Sequence, residues 1–596
     1  QTGDFNTAVG KDALLANTGD SNTAIGLCAM VCNTSGGVNV AVGYEALEQN
    51  TTAGENTAVG YRALKGNTEG CQNSSFGTCS VYTNSTGDFN TGVGYKALFA
   101  NQTADNNTAM GFCALTANTT GATNTAFGFK SSLGNTTGTL NASFGDNSFR
   151  CNTTGANNTA LGTSASFNNT TASFNTAVGS EALSTNTTGA SNVAVGRLSL
   201  KANTTAANNT AVGYITLQAN TTGDKNTALG TGALAANTTA GCNTAVGQAS
   251  LCTNTTGCLN TAVGRQALEV NLTGDNNTGL GYRALNANTS ADNNTAVGFC
   301  SLAANTTGAS NVAVGFGSLK ANTTGADNTA VGFEAIFTNT TGCRNTAFGK
   351  RALKLNTVGC DNVGIGLNSL CANTTGDFNT GLGFASLQSN TTANNNTGLG
   401  YYALQANTTA VDNVAIGFCA MRATTTGATN TAIGANTMVE NTTGCLNTVV
   451  GAGALMCNTE GCQNIVMGGF AMRRNQTGDN NTAIGREALC ANTTADQNTA
   501  VGFQSLCSNT TGINNSAVGS QTIQANTTGC NNVAMGRLAL NTNTEGDENV
   551  AVGSCSLRRN TTGNNNTSLG ACSLMCNTTA GNNTAMGVCA LHTNTT

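Results

Sequence analysis

The segment Asn-Thr-Ala-Val-Gly at Asn6–Gly10 returns at Asn22–Gly26, Asn39–Gly43 and Asn56–Gly60. From Asn22 to Asn583 it recurs every 17 residues without a slip. A fixed short period limits the choice of fold severely, because each repeat must be one structural unit that stacks on its copies. There are 35 copies, and the first interval is 16 because Asn17-Thr18-Gly19 lacks one Thr.

Numbered from the first Asn, the consensus is N-T-A-V-G-x-x-A-L-x-x-N-T-T-G-x-x. Asn holds position 1 and Gly position 5 in all 35 copies. Examples are Asn22 with Gly26, Asn39 with Gly43, Asn56 with Gly60 and Asn192 with Gly196. Position 4 is always apolar, ranging over Val9, Ile25, Phe76, Met110 and Leu161, and position 8 is Ala, Ser or Thr. Position 9 is large and apolar in 33 copies; Ser132 and Ser166 depart, each followed by an apolar residue, Leu133 and Phe167. Positions 6, 7, 10, 11, 16 and 17 vary and carry nearly all the charge.

Seventeen residues are too few for two useful helices and enough for one coil of a β-solenoid with two short strands and two turns. Thr-Ala-Val has strand character. Ala-Leu at positions 8 and 9 is assigned to the second strand or its approach. Asn-Thr-Thr-Gly is turn chemistry, since Asn tolerates the left-handed region and Gly adopts it without steric cost. The invariant Gly at position 5 marks a bend. Stacking puts the position 4 residues in one ladder and those of position 9 in another, predicting a thin continuous core with an inward amide ladder of position 1 Asn.

Composition supports this reading. The chain of 596 residues holds no Pro and no Trp. A Pro would remove a ladder hydrogen bond, and an indole does not fit a narrow core. The expectation is an all-β, parallel β-solenoid of about 35 coils, one continuous solenoid over residues 1–596 with its first coil at 6–21. At about 4.8 Å per coil it is a rod of about 170 Å. Gly does not recur at every third residue, which excludes collagen. Disorder predicts neither the strict register nor the protected apolar columns.

The string GxxALxxNTTGxxNTAVG resembles the repeats in heads of trimeric autotransporter adhesins, and longer variants in fibre and surface proteins of bacteria and phages. The matching residues are the Asn-Thr/Val-Ala-Val/Ile-Gly cores, for example Asn192–Gly196, and the Ala-Leu that follows. The resemblance covers essentially the whole chain. It implies a left-handed parallel β-roll, often trimeric, used for adhesion or as a fibre. This coil is longer than the adhesin-head coil.

The 24 Cys fall at positions 7, 10, 11, 16 and 17 and never replace the apolar residues of positions 4 and 9. They are expected at the surface or in turns, and their number suggests an oxidising, extracellular setting. Equivalent positions of adjacent coils lie within disulfide range. The candidate pairs are Cys343/Cys360, Cys445/Cys462, Cys490/Cys507 and Cys572/Cys589, with Cys28/Cys32 and Cys572/Cys576 as alternatives within one coil. Cys113 and Cys151 lack such a partner.

Position 12 carries an Asn-x-Ser/Thr sequon in 29 of 35 copies. Asn50, Asn118, Asn135, Asn186, Asn220, Asn305, Asn322, Asn373, Asn492 and Asn560 are candidate glycosylation sites. The same residues also read as plain turn chemistry. Further sequons arise where position 17 is Asn, as at Asn106 and Asn157.

No unique nucleophile, base or metal constellation breaks the symmetry, so the sequence predicts no enzyme, cofactor or metal site. His592 is the single His, and no CxxC, Walker loop, dinucleotide fingerprint or GGxGxD repeat occurs. The net charge of −5 gives no nucleic-acid footprint. No apolar run is long enough to span a membrane, and no signal-peptide pattern is present. The expected function is an extracellular or cell-surface structural protein that self-associates into a filament or homo-oligomer. The ends carry no atypical capping repeat, which predicts head-to-tail stacking or a longer array. An adhesin or tail-fibre shaft, three rolls side by side, is the alternative. Ice binding needs flat Thr columns, and the adjacent Thr pair of the turn points to opposite sides.

Overall fold

The structure, a computed structural model, describes residues 3–595. It separates into two units, Gln1–Asn294 and Thr295–Thr596, each a parallel β-solenoid. The boundary falls between positions 1 and 2 of a repeat whose register is unbroken in the sequence. Among the described residues the first unit holds 17 strands, from Thr7–Val9 to Thr278–Leu280. The second holds 18, from Thr295–Val297 to Thr584–Met586. Each strand is the three residues of positions 2 to 4 and pairs with its equivalent one coil away, as in Thr210↔Thr227, Ala211↔Ala228 and Val212↔Leu229.

The coil has one strand, not two. Ala-Leu at positions 8 and 9 lies in a turn in which positions 7 and 9 are both left-handed, as in Cys28 (φ 57) and Met30 (φ 50). Position 17 is left-handed as well, as in Val38 (φ 60). Each such residue without a Cβ-free backbone costs about 1 kcal/mol or more. The return is that the axial hydrogen bonding continues through the turn. Cys28 N–H donates back to Lys11 O at 3.0 Å, Met30 N–H forward to Ala46 O at 3.0 Å, and Cys32 N–H forward to Glu48 O at 3.1 Å. Backbone ladders thus surround the coil although only three residues are extended, which explains why Pro is excluded well beyond the strand.

The core also differs from expectation at position 4. Alternation along the strand sends position 3 inward and positions 2 and 4 outward. Ala24, Ala41 and Ala58 of position 3 have no exposed surface, whereas Ile25 of position 4 is 40% exposed. The reason is width: a three-residue strand offers one inward side chain, Ala in most coils and Val at Val449 and Val466, over which positions 8 and 9 close. Position 9 is core as expected, with Leu47, Leu64 and Leu98 fully buried, and position 8 is buried beside it. Each such Leu contributes about 2 kcal/mol.

The Gly of position 5 is explained by geometry. Gly26 has φ +143, and a Cβ there would stand 2.3 Å from the carbonyl oxygen of Gly43. No side chain fits a corner where each coil rests on the next. The missing residue of the first repeat is lost from the exposed turn: Asn17 Nδ2 donates to Gly19 O at 2.9 Å, the bond that Asn33 makes to Gly36 O one residue further along.

Candidate functional site

The chemistry of this molecule is arranged in columns, and two of them are asparagine ladders. In the position 1 ladder, Asn39 N–H and Nδ2 donate to Asn22 Oδ1 at 2.9 and 3.1 Å. The same link runs from Asn56 N–H to Asn39 Oδ1 at 2.9 Å and from Asn192 N–H to Asn175 Oδ1 at 2.9 Å. This ladder was legible in the sequence; the second, at position 12, was not. Asn50 Nδ2 donates to Asn33 Oδ1 at 2.6 Å and to Ala53 O at 2.9 Å. Asn39 Nδ2 donates to that same Ala53 carbonyl at 2.9 Å. The carbonyl of position 15 therefore ties both ladders together within the coil, with Asn107 an exception whose Nδ2 reaches Asn101 Oδ1 at 3.5 Å instead.

This geometry reassigns the glycosylation candidates. Asn50, Asn118, Asn186, Asn220, Asn305, Asn322, Asn373, Asn492 and Asn560 are fully buried, and Asn135 is 1% exposed. Their Nδ2 atoms, where a sugar would be attached, face inward and donate to the position 15 carbonyl, as Asn118 does to Gly121 O at 2.9 Å. The folded coil has no room for a glycan at position 12, and the turn reading of Asn-Thr-Thr-Gly stands in its place. Asn106 and Asn157 of position 17 are exposed.

The turn threonines divide in the same way. Thr34 and Thr51 of position 13 donate their hydroxyls to the position 13 carbonyls of the next coil, Thr51 O and Thr68 O, at 2.8 and 2.9 Å. Position 14, as in Thr52, is exposed. The pair does not form a flat double array.

Position 16, read as freely variable, is a third column. Where the next coil has Asp, Asn or Ser at position 16, that side chain accepts the position 16 N–H: Ala207 donates to Asp224 Oδ1 at 2.6 Å, Asp275 to Asp292 Oδ1 at 2.7 Å, Ala156 to Ser173 Oγ at 3.0 Å. The signal was the frequency of Asp, Asn, Ser and Cys there, all of which accept hydrogen bonds. Cys343 and Cys360 lie in this column with Sγ atoms 2.9 Å apart, and so do Cys445 and Cys462, also at 2.9 Å. The hydrogen bond with Cys360, then burial, pushes the Cys343 thiol up to about 11. Burial, then the hydrogen bond with Cys445, does the same for Cys462, also to about 11.

At position 10, Cys490 and Cys507 share a thiol–thiol hydrogen bond that lowers Cys490 to about 7 and raises Cys507. Cys572 interacts with Cys555 as well as Cys589, so its column holds three thiols where the pair reading had two. No disulfide bond joins any of the 24 Cys in this structure, and Cys419 alone is buried.

Two outward columns, positions 4 and 6, expose apolar side chains. Position 6 forms aromatic stacks beside the Gly corner. Tyr95, Phe112 and Phe129 have ring centroids 5.1 and 5.3 Å apart. Phe299, Phe316 and Phe333 are spaced at 5.2 Å. A surface recess of about 310 Å³ lined by Phe167, Ser180 and Ser184 contains one titratable group, Glu181, which is paired with Lys201 Nζ at 2.6 Å. Among the described residues no cluster of three or more His, Cys, Asp or Glu could hold a metal ion, and no helix is long and apolar enough to cross a membrane. Neither a family model nor a curated protein sequence matches this chain.

Proposed function

We propose that the chain is an extracellular or cell-surface structural protein, a rod-building repeat whose coils add axially. The observation that supports it is the direction of its bonding. The buried amides of positions 1 and 12 donate along the stack or within the coil, so that each coil is both donor and template for the next. A role as a scaffold follows from uniformity rather than from any single residue. Cryo-electron microscopy of native material tests it: filaments with one coil per about 4.8 Å are expected, and compact monodisperse monomers would count against it. On this reading sugars, where present, sit at exposed Asn106 and Asn157 and not at Asn118, which glycopeptide mapping of folded protein decides.

A second reading has its own support. Position 4 faces outward and is apolar in every copy, with Phe127 44%, Leu161 47% and Met467 45% exposed. With the aromatic stacks of position 6, this favours lateral association, as in an adhesin or tail-fibre shaft. Light-scattering mass in solution separates the two. A trimer broken by replacing Leu161, Val178 and Val195 with Lys supports the lateral mode; an unchanged mass refutes it.

A further inference from the structure

We propose that Cys343 with Cys360, and Cys445 with Cys462, are axial disulfide staples, thiol pairs set by the position 16 column to oxidise and so to join one coil covalently to the next. The column imposes a direction on its side chains. Where the following coil carries Asp, Asn or Ser at position 16, that side chain turns back to accept the position 16 N–H of the coil before it. Asp377 does so to the N–H of Cys360 at 2.7 Å, and Asp479 to that of Cys462 at 2.6 Å. Where two successive residues of the column are Cys, the same rule presses the later Sγ against the earlier residue. Cys343 N–H lies 3.1 Å from Cys360 Sγ, and Cys445 N–H 3.0 Å from Cys462 Sγ. The sulfurs are then 2.9 Å apart in both pairs. Neighbouring strand positions about 4.8 Å apart fall inside the Cα range of disulfides, about 4.4–6.8 Å.

The two pairs are distinguished from the rest of the column. Cys71, Cys258 and Cys530 follow Gly54, Gly241 and Ile513 and precede Asp88, Asp275 and Asp547, so no second thiol stands above or below them at position 16. All four paired residues are partly exposed, which admits a small oxidant. Cys343/Cys360 is further steadied by its chain neighbours, since Arg344 donates to Asp361 Oδ1 and Oδ2 at 2.7 and 2.8 Å across the same two coils.

The oxidant is a small-molecule disulfide such as glutathione disulfide. The thiolate of one Cys attacks a glutathione sulfur, and one glutathione thiolate leaves. The second Cys, its proton lost to water, attacks the protein-bound sulfur and displaces the other glutathione. Two protein thiols and one glutathione disulfide become one protein disulfide and two glutathione thiols, so two electrons and two protons pass to glutathione.

The full chain is incubated with glutathione disulfide or with dithiothreitol, blocked with iodoacetamide, digested and mapped by mass spectrometry. Cross-linked peptides joining 343 to 360 and 445 to 462 are expected only in the oxidised sample, with Cys71, Cys258 and Cys530 unlinked to each other. Alkylation of the four paired residues to the same extent as Cys71, or stable mixed glutathione adducts without closure, overturns the proposal. Cys360→Asp supplies the residue this column most often uses, so it preserves the acceptor for Cys343 N–H. It should fold as the parent does, lose the 343–360 link and leave Cys343 alkylatable. The parent's oxidised form should open its adjoining coils about 100-fold more slowly than the reduced form in hydrogen exchange. The same slowing at those coils in Cys360→Asp would remove the staple as its cause.

Discussion

At the scale of single residues, the position 12 ladder is tested by a natural defect. Thr424 stands where every other repeat has Asn. Its hydroxyl receives Asn441 Nδ2 at 3.4 Å, a poor substitute for the usual link, and Asn407 Oδ1 one coil earlier is buried with no partner. An unsatisfied buried acceptor costs about 1–3 kcal/mol. Thr424→Asn restores the donor and should stabilise the coils around it by that amount, read as slower amide exchange across 407–441. The thiols make a second residue-scale prediction. The hydrogen bond with Cys507 holds Cys490 at about 7, while burial raises Cys252 and Cys371 at the same position of other coils. The thiolate is the nucleophile. Iodoacetamide at pH 7 should therefore label Cys490 ahead of Cys252 and Cys371. Its rate should fall about tenfold per pH unit below 7 as the thiolate is protonated.

At the scale of the coil, the position 9 column shows how a repeat absorbs an exception. Ser132 and Ser166, which looked like gaps in the core, stand one coil before and one coil after Phe149, the bulkiest fully buried side chain. Two small residues give one large residue its space. Ser166 Oγ is left buried without a partner, whereas Ser132 Oγ bonds Ser143 Oγ at 2.7 Å. The single change Ser166→Leu is expected to overpack against Phe149 and destabilise by about 1–3 kcal/mol. In a Phe149→Leu background the same change should stabilise. A double-mutant cycle checks this reversal of sign. The sequence contained the clue, since both exceptions flank the one Phe of the column, but nothing in a consensus says that consecutive repeats touch at that position until the stacking is known.

At the scale of the whole molecule, each solenoid unit depends on contacts between neighbouring coils, and its stability is a sum of similar local steps. Deleting one period, Asn226–Cys242, joins position 17 to position 1 and rebuilds every column. The shortened chain should keep its far-ultraviolet circular dichroism per residue, with neighbouring coils unchanged within about 1 kcal/mol. Deleting only residues 226–233 joins position 17 to position 9 and removes Asn226 from the position 1 ladder while leaving Asn237 of position 12 in a coil of nine residues. That variant should show fast amide exchange on both sides of the junction. Equal behaviour of the two deletions would mean that period does not govern the stack.

The sequence by itself determined the period, the parallel stacking, the strand at positions 2 to 4, the Gly corner and the amide ladder of position 1. All of these follow from identical residues returning at a constant interval, and identity at an interval is a property of sequence. Only the tertiary structure decided which way each side chain points. Position 3 is inside and position 4 outside because three extended residues leave room for one inward side chain. Ala-Leu is a turn because left-handed residues at positions 7 and 9 preserve the axial hydrogen bonds while bending the chain. The position 12 asparagines are core because the position 15 carbonyl, invisible in any residue pattern, accepts the amides of both ladders at the centre of the coil.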